Sequence, residues 1–169
     1  FIMDQASLEF AKNLEQRVFD VLKDKKLTVA VAESLTAGMV ASKLTSLPGS
    51  SVFFVGGAVC YTPRSKIIQT GIDPKIIAKH GVVSEETAVG LAKGIRQRLF
   101  TELGVGVTGV AGPESHGGRP VGTVYIAVSD KDRDIVKEFD FEGDREEIRT
   151  KAVQAVLGVL WMYLKDKEV

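Results

Sequence analysis

The chain is poor in the residues that mark several common protein classes. It has one cysteine, Cys60, in 169 residues, which excludes an intramolecular disulfide and a metal site built from clustered cysteines. So little cysteine fits a reducing compartment, and we predict a cytoplasmic location. The two histidines, His80 and His116, have no partners at the spacing of metal ligands, so we predict no zinc or other metal site.

An excess of charge of one sign is also lacking. Lys and Arg total 22, Asp and Glu total 22, and the formal net charge is zero. Surfaces that coat DNA or RNA usually carry a basic excess, so we predict no nucleic-acid partner. No segment reaches the roughly 18 consecutive apolar residues of a membrane span, and the first residues lack the basic-then-apolar order of a secretory signal. We therefore predict no membrane partner.

What remains is the composition of one globular domain. The apolar fraction is 44% and the charged fraction 26%, unlike a disordered or fibrous chain. A chain of this length buries roughly two thirds of its unfolded surface without disulfides. We predict a single domain over residues 1–169, with Met3 as a candidate initiator.

Helical and strand-like patterns alternate along the chain. A helix is predicted over residues 4–25 from an apolar stripe at three- and four-residue steps: Leu8, Ala11, Leu14, Val18 and Leu22. Further helices are predicted over residues 36–46, from Pro63, from Asp73-Pro74, after the cap Ser84 and after the cap Asp144. Strands are predicted over residues 27–32, 52–61 and 103–110, followed by a hairpin of residues 121–129 and 135–141.

This order of elements indicates an α/β fold, a three-layer α/β/α sandwich with a mixed, mostly parallel sheet. The early strands are predicted to be parallel because helical crossovers join them. The late hairpin makes the sheet mixed. Ligands of such folds bind beyond the carboxyl ends of the parallel strands. Residues 32–38, 60–66 and 108–113 leave those ends, so they converge on one cleft if their strands are adjacent.

The first of these segments carries Ser34, where a strand becomes a helix. A hydroxyl there faces the N–H groups of a helix start, which can stabilise an oxyanion or bind a phosphate. The alternative is that Ser34 or Thr36 only caps the helix.

The second segment carries Tyr61 and, five residues later, Lys66. Helical side chains lean toward the helix N-terminus, so Lys66 in a helix that starts at Pro63 would reach back toward Tyr61. A general-base lysine needs its pKa to fall from about 10.4 to nearer 7.5, which costs roughly 4 kcal/mol. The helix dipole supplies only part of this, and burial or Arg64 would have to supply the rest. The alternative is a surface lysine.

The remaining candidates are weaker signals. Gly56-Gly57, inside a predicted strand, permit close approach of a ligand or of another backbone, with packing as the alternative. Residues 108–113 look like a glycine-rich phosphate cradle but match neither common phosphate-binding motif. Arg145 and Arg149, four apart on one helix face, are a candidate clamp for a phosphate or carboxylate, or else a solvated face. His116, in a glycine-rich loop that could act as a flap, is expected to be solvated.

Taken together, these segments resemble the CinA C-terminal domain family, whose enzymatic members are nicotinamide mononucleotide amidohydrolases. The matching pieces occur in the family's order, at residues 32–38, 48–51, 56–66, 81–84, 108–113, 120–124 and 143–145. The resemblance extends from about residue 8 to residue 164. Two positions depart from it: Ala37 precedes Gly38 where many members have Gly-Gly, and Pro63 stands where many have Asn. Longer members carry a further N-terminal domain, so this sequence resembles a stand-alone version.

The resemblance implies a catalytic group of Ser34, Tyr61 and Lys66, no cofactor, a nucleotide substrate and self-association as a dimer or larger oligomer. Its reaction is hydrolysis of the carboxamide of nicotinamide mononucleotide to nicotinate mononucleotide and ammonia, through an acyl-enzyme on Ser34. The residues expected to bind the substrate are Thr36, Gly38, Ser50, Ser51, Gly56, Gly57, Thr108, Gly109, Ala111, Gly112 and Arg145. Among them, residues 108–112 and Arg145 are the candidates for the phosphate. Backbone N–H groups at residues 35–37 or at Ser50 and Ser51 are the candidates for an oxyanion hole.

Several alternatives stay open at this point. Either neutral Lys66 accepts the Ser34 proton, or charged Lys66 lowers the pKa of Tyr61 so that its phenolate accepts it. A non-catalytic nucleotide-binding module and an amidase for a different amide are rival functions. A role on DNA is disfavoured by the zero net charge.

Overall fold

The computed structural model describes the backbone of residues 5–166 and the side chains of residues 9 and 13–166. The candidate initiator Met3, the predicted helix start at residue 4, and the side chains of Leu8 and Ala11 lie outside this description. The described elements are α1 (Gln5–Asp24), β1 (Val29–Glu33), α2 (Met39–Leu44), a 3-10 turn (Ser50–Val52), β2 (Phe54–Val59), α3 (Pro63–Thr70), α4 (Pro74–His80), α5 (Glu85–Leu99), β3 (Leu103–Gly109), β4 (Thr123–Ser129), β5 (Asp134–Asp140) and α6 (Arg145–Asp166).

The five strands form one mixed sheet in the order β2-β1-β3-β4-β5. Strand β1 is central to the parallel part and pairs with β2 on one side and β3 on the other. The β3–β4 and β4–β5 pairings are antiparallel. Four of the five strands therefore run in the same direction. Two of the four strand pairings are parallel and two are antiparallel. The predicted mixed α/β sheet with its late hairpin is confirmed.

Helices cover both faces of this sheet, as the three-layer prediction requires. On one face, α1 and α6 pack on the valines of β1 and β3, such as Val31 and Val107, with Val18 and Leu22 of the predicted stripe completely buried. On the other face, α5 packs on Ala30 and Ala32. A strand alternates its side chains between faces, so the large and small residues of β1 separate onto the two layers.

The approach of α5 to the sheet depends on glycines of β3. A Cβ atom on Gly104 would lie 2.0 Å from the carbonyl oxygen of Ala92, and one on Gly106 would lie 2.2 Å from that of Ala88. No side chain fits at either position unless the helix backbone moves away. The alternating pattern of residues 103–107 thus encodes a helix that lies directly on the strand backbone.

Two predicted helix starts are confirmed by their caps. The Ser84 hydroxyl accepts the N–H of Thr87 at 3.1 Å. Asp144 and Glu147 form a reciprocal capping box, with N–H···O distances of 2.9 and 2.8 Å. These caps fix the starts of α5 and α6, whose first residues lie beside the carboxyl ends of the parallel strands.

The prediction for the second helix was too long at its start. It begins at Met39 rather than at residue 36, because Ala37 and Gly38 adopt left-handed backbone conformations with φ of 45° and 98°. Two left-handed residues in succession cannot continue a right-handed helix. Residues 34–38 are therefore a turn between β1 and α2. Among the described helices, none is both long enough and apolar enough to cross a membrane.

Candidate active site

The segments that leave β1, β2 and β3 converge on one cleft with a volume of about 480 Å³. This is the arrangement expected from the strand order, because β1 lies between β2 and β3 and all three end at the same edge. The residues that line the cleft are Ser34, Leu35, Tyr61, Thr62, Pro63, Lys66, Val82, Val83, residues 108–116 and Arg145.

Ser34 and Lys66 are in direct contact in the buried part of the cleft. Ser34 follows the last residue of β1 and is 7% exposed, while Lys66 lies in the first turns of α3 and is 2% exposed. The Nζ atom of Lys66 donates to the Oγ atom of Ser34 at 2.9 Å. Because Pro63 starts α3 immediately after β2, the Lys66 side chain leans back over the strand end and reaches the neighbouring β1.

The environment of Lys66 is polar but carries no countercharge among its recorded contacts. Its Nζ also donates to the carbonyl oxygens of Cys60 and Tyr61, at 2.8 and 3.4 Å. Burial lowers the pKa of Lys66 from its ordinary value of 10.5 to about 8. Burial likewise raises the pKa of the Cys60 thiol to about 11, so the nearest sulfur stays protonated at neutral pH. At pH 7 about one Lys66 side chain in ten is then neutral and able to accept a proton from Ser34.

Tyr61 stands at the rim of the cleft, 53% exposed. Its phenol oxygen accepts a hydrogen bond from Arg145 at 2.9 Å, and the same guanidinium donates to the carbonyl oxygen of Gly112 at 2.6 Å. Within residues 5–166, no hydrogen bond joins the Tyr61 phenol to Ser34 or Lys66. Arg145 thus bridges two walls of the cleft, and Tyr61 belongs to that bridge rather than to the Ser34 pair.

Within the described part of the chain, the turn at residues 34–38 leaves three backbone N–H groups without a hydrogen bond. The N–H of Ser34 donates to Val107, and the N–H of Ala37 donates to the carbonyl oxygen of Ser34. The three are those of Leu35, Thr36 and Gly38. Leu35 lines the cleft next to Ser34. The N–H of Leu35 is therefore the one unbonded donor of this turn that belongs to a residue of the cleft lining, and a donor beside a nucleophile is what an oxyanion hole requires.

Two side chains hold this turn: Glu33, which was not predicted to have a role at the site, and Arg149, which was predicted as part of a ligand clamp. Glu33, 1% exposed, accepts the N–H groups of Val40 and Ala41 at 2.8 and 3.0 Å. It replaces the side-chain cap that Gly38 cannot give to α2. A charged residue at the end of an otherwise apolar strand is the sequence feature that could have indicated this role of Glu33. Arg149, considered as a ligand clamp, instead donates its Nε–H to the carbonyl oxygen of Leu35 at 2.9 Å.

The predicted substrate-binding residues divide into two groups. Those that line the cleft are Thr108, Gly109, Ala111, Gly112 and Arg145. Those that are not in its lining are Thr36, Gly38, Ser50, Ser51, Gly56 and Gly57. The members of the first group stay candidates for contact with a ligand, and the geometry gives the second group no such contact.

The second group has structural explanations. Ser50 and Ser51 precede β2 and so lie at the strand end opposite the cleft, which removes them as oxyanion donors. A Cβ atom on Gly57 would lie 2.6 Å from the Cγ2 atom of Val31, so packing against β1 requires a glycine there. Thr36 is completely buried, and its hydroxyl has no hydrogen-bond partner within residues 5–166.

Some residues of the cleft lining were not predicted as site residues. Val82 and Val83 form an apolar wall, held where the Thr108 hydroxyl donates to the Val82 carbonyl oxygen at 2.7 Å. The sequence feature that could have indicated this wall is the pair of apolar residues directly before the Ser84 cap. His116 is exposed, as expected, and it also lines the cleft.

The family of the chain follows from comparison with known proteins. The family model described as the CinA C-terminal domain matches residues 11–164. The chain belongs to the CinA C-terminal domain family. A CinA-like protein of Acidobacterium capsulatum is 45% identical over 152 residues, and one of Solibacter usitatus is 42% identical over 149 residues. Each alignment covers 88% of this chain but only 36% of the relative, so the chain spans about a third of the length of these relatives.

Solved structures of CinA proteins have the same fold as this CinA domain. A CinA superfamily protein from Klebsiella pneumoniae is 26% identical with a TM-score of 0.88, and the match covers 92% of this chain and 98% of the other. The competence/damage inducible protein CihA from Agrobacterium tumefaciens is 32% identical with a TM-score of 0.85, over 92% and 95% of the two chains. The α/β fold of this domain is therefore that of the CinA superfamily.

Proposed function

We propose that this domain hydrolyses the carboxamide of nicotinamide mononucleotide to nicotinate mononucleotide and ammonia. The family membership supports this, because the resemblance to its enzymatic members includes Ser34, Tyr61 and Lys66. The observation that carries the proposal is the 2.9 Å contact between the Lys66 amine and the Ser34 hydroxyl inside the cleft. A buried lysine beside a serine is the arrangement of a Ser–Lys nucleophile.

In the first half of the reaction, neutral Lys66 accepts the hydroxyl proton of Ser34 while Oγ attacks the carboxamide carbon. The carbonyl oxygen becomes an oxyanion, toward which the N–H group of Leu35, in the cleft lining beside Ser34, donates. The C–N bond then breaks, and the proton held on Lys66 passes to the departing nitrogen, which leaves as ammonia. The product of this half is a nicotinoyl ester of Ser34.

In the second half, water attacks the ester carbon and gives a proton to Lys66. The C–Oγ bond breaks, Lys66 returns the proton to Ser34, and the acid product loses its remaining proton to solvent and leaves as the carboxylate. Water is the only co-reactant, so the proposal invokes no cofactor. Lys66 is favoured over Tyr61 as the proton acceptor because its Nζ already contacts Ser34, whereas the recorded partner of the phenol is Arg145.

We place the ribose phosphate at Arg145 and the backbone of residues 108–112. Arg145 is exposed at the rim, and its recorded bonds to Gly112 and Tyr61 use two of the five N–H donors of a guanidinium. The remaining donors are available to an anion. The apolar wall of Val82 and Val83 offers a surface on which the flat face of the pyridinium ring can pack.

The test is ammonia release from three compounds: nicotinamide, its riboside and its mononucleotide. The mononucleotide should give the highest kcat/KM, and the riboside should lose mainly in KM because it lacks the phosphate. Equal kcat/KM values for the riboside and the mononucleotide would remove the phosphate assignment. No ammonia from any compound, combined with a rise in thermal stability on adding the mononucleotide, would favour a non-catalytic nucleotide-binding module.

The other functional expectations stay predictions. They are self-association into a dimer or larger oligomer, a cytoplasmic location, and the lack of nucleic-acid and membrane partners.

A further inference from the structure

The loop of residues 113–119 borders the cleft and is held at both of its ends. Just before its start, the carbonyl oxygen of Gly112 accepts a hydrogen bond from the Arg145 guanidinium at 2.6 Å. At its end, the Arg119 guanidinium lies 5.6 Å from the centroid of the Tyr125 ring, a cation–π contact with a buried side chain. The loop is therefore fixed to helix α6 on one side and to strand β4 on the other.

The tip of this loop is a tight hairpin turn. Two backbone hydrogen bonds, at 3.2 and 3.0 Å, join His116 to Arg119. The two residues between them, Gly117 and Gly118, have φ values of 60° and 75°, which is the backbone of a primed two-residue turn. The tip rests on the apolar wall, since a Cβ atom on Gly117 would lie 3.4 Å from the Cγ2 atom of Val82. The residues that lead to this tip are thus held beside the cleft.

Glu114 is the acidic residue that this loop brings to the cleft. Among the described residues that line the cleft, it alone carries a carboxylate. Its side chain makes no recorded hydrogen bond or ion pair within residues 5–166, although Arg145 binds the carbonyl oxygen of Gly112, two residues earlier. The two oxygens of this carboxylate, which can only accept hydrogen bonds, are therefore open to a ligand in the cleft.

A carboxylate in this position favours a ligand that donates hydrogen bonds. It repels a phosphate, so it does not share the phosphate of the proposed substrate with Arg145. The carboxamide of that substrate is placed at Ser34. The part that remains is the ribose, whose two hydroxyl groups are donors on adjacent carbons and match the two oxygens of one carboxylate. In dinucleotide-binding folds, an Asp or Glu likewise recognises a ribose through its 2′-hydroxyl.

The position of Glu114 in the chain agrees with a contact to the ribose. Consecutive Cα atoms are about 3.8 Å apart, so the Cα atom of Glu114 lies within about 8 Å of that of Gly112, to which Arg145 is bound. In a mononucleotide the ribose lies between the base and the phosphate. With the carboxamide at Ser34 and the phosphate at Arg145, the ribose lies between two points that border the same cleft as Glu114.

We propose that Glu114 binds the 2′- and 3′-hydroxyl groups of the substrate ribose and makes the cleft selective for ribosylated nicotinamide. The inference rests on the proposed substrate and adds a ribose subsite to the cleft. An exposed glutamate without this role would contribute only to the general charge at the rim.

The test combines one substitution with one change in the substrate. Glu114→Gln keeps the shape of the side chain and removes its charge, and the 2′,3′-dideoxy form of nicotinamide mononucleotide lacks both hydroxyls. Glu146→Gln is the matched control, because Glu146 is exposed and follows Arg145 in the chain but is not in the cleft lining. KM and kcat are measured by ammonia release for every pair of protein and substrate. Glu114 is exposed, so its substitution should leave the fold intact.

In the wild type, KM should be higher for the dideoxy form by about tenfold to a hundredfold, as expected for lost hydrogen bonds to a charged group, with kcat changed by less than about twofold. Glu114→Gln should raise KM for the mononucleotide by about tenfold and should leave KM for the dideoxy form within about twofold of the wild-type value. Glu146→Gln should match the wild type with both substrates. Equal increases in KM for the two substrates in Glu114→Gln, or no increase for either, would overturn the proposal.

The same comparison separates this inference from the proposed reaction. If the wild type releases no ammonia, the dissociation constants of the two nucleotides, measured by calorimetry, take the place of KM. A loss of affinity in Glu114→Gln that requires the ribose hydroxyls would then keep the ribose subsite while ending the amidase proposal. A wild type that neither hydrolyses nor binds the mononucleotide would overturn both.

Discussion

The buried amine of Lys66 has a consequence for stability that is independent of catalysis. Lys66→Met should be more stable than the wild type at pH 7 and should lose this advantage as the pH approaches 10.5. The reason is that folding takes a charged amine out of water at neutral pH without giving it a carboxylate partner among its recorded contacts. Methionine has a similar length and carries no charge.

The magnitude follows from the shift of the Lys66 pKa from 10.5 to about 8. Each pKa unit corresponds to 1.36 kcal/mol, so the charged amine costs about 3 kcal/mol of folding free energy below pH 8. Methionine removes the hydrogen bonds to Ser34 and Cys60, which costs about 1–2 kcal/mol. The variant should therefore gain about 1–2 kcal/mol at pH 7, a rise in Tm of roughly 3–6 °C for a domain of this size.

The dependence on pH has a definite sign. Between pH 8 and 10.5 the unfolded chain holds a proton on Lys66 that the folded chain does not, so wild-type stability rises relative to the variant across this interval. Urea unfolding at pH 7, 8.5 and 10 measures the change, with Lys75→Met at an exposed position as the control. A Lys66→Met difference that stays constant with pH, as expected for the control, would refute the reasoning.

Three further predictions concern the cleft and the strands beside it. The kcat/KM for the mononucleotide should rise with pH, with an apparent pKa of about 8. Tyr61→Phe should show the same apparent pKa if Lys66 is the base. A shifted apparent pKa, or a kcat/KM that no longer rises with pH in that variant, would favour the phenol as the base. Ala37→Gly should raise the free energy of unfolding by about 1 kcal/mol, because residue 37 is exposed with a φ of 45°; an equal or lower value in urea unfolding would contradict this. Gly57→Ala should lower the free energy of unfolding by about 2 kcal/mol, because the new Cβ would lie 2.7 Å from the Val31 carbonyl oxygen. The control is Gly56→Ala, whose new Cβ would meet only the Leu99 side chain at 3.4 Å and should have little effect. Equal Tm values for these two variants would show that packing does not explain Gly57.

The fold could be predicted from local patterns because its elements are regular. Runs such as residues 103–110 and the stripe containing Val18 and Leu22 bury one or both faces, and this periodicity is visible in the sequence. The start of α2 was not visible. Ala37 is a good helix former, and the left-handed conformations of Ala37 and Gly38 delay the helix to Met39.

The cleft could be predicted from topology, since adjacent parallel strands must end at one edge. Topology alone therefore predicted that Ser34, Tyr61 and Lys66 lie in one cleft, although it did not predict the contacts between them. The support of the turn by Glu33 and Arg149 could not be predicted, because it depends on contacts that no local spacing encodes. Gly56-Gly57 were ambiguous for a different reason: a strand glycine looks the same whether a ligand or a neighbouring strand comes close to it.

The account depends on the hydroxyl of Ser34 as the atom that attacks the amide. The most direct measurement is ammonia release from nicotinamide mononucleotide by wild type and Ser34→Ala, with Ser42→Ala, exposed on α2, as the matched control. Ser34→Ala should lose activity by about a thousandfold or more while keeping its fold, and Ser42→Ala should keep the wild-type rate. A folded Ser34→Ala protein that releases ammonia at the wild-type rate would contradict the account.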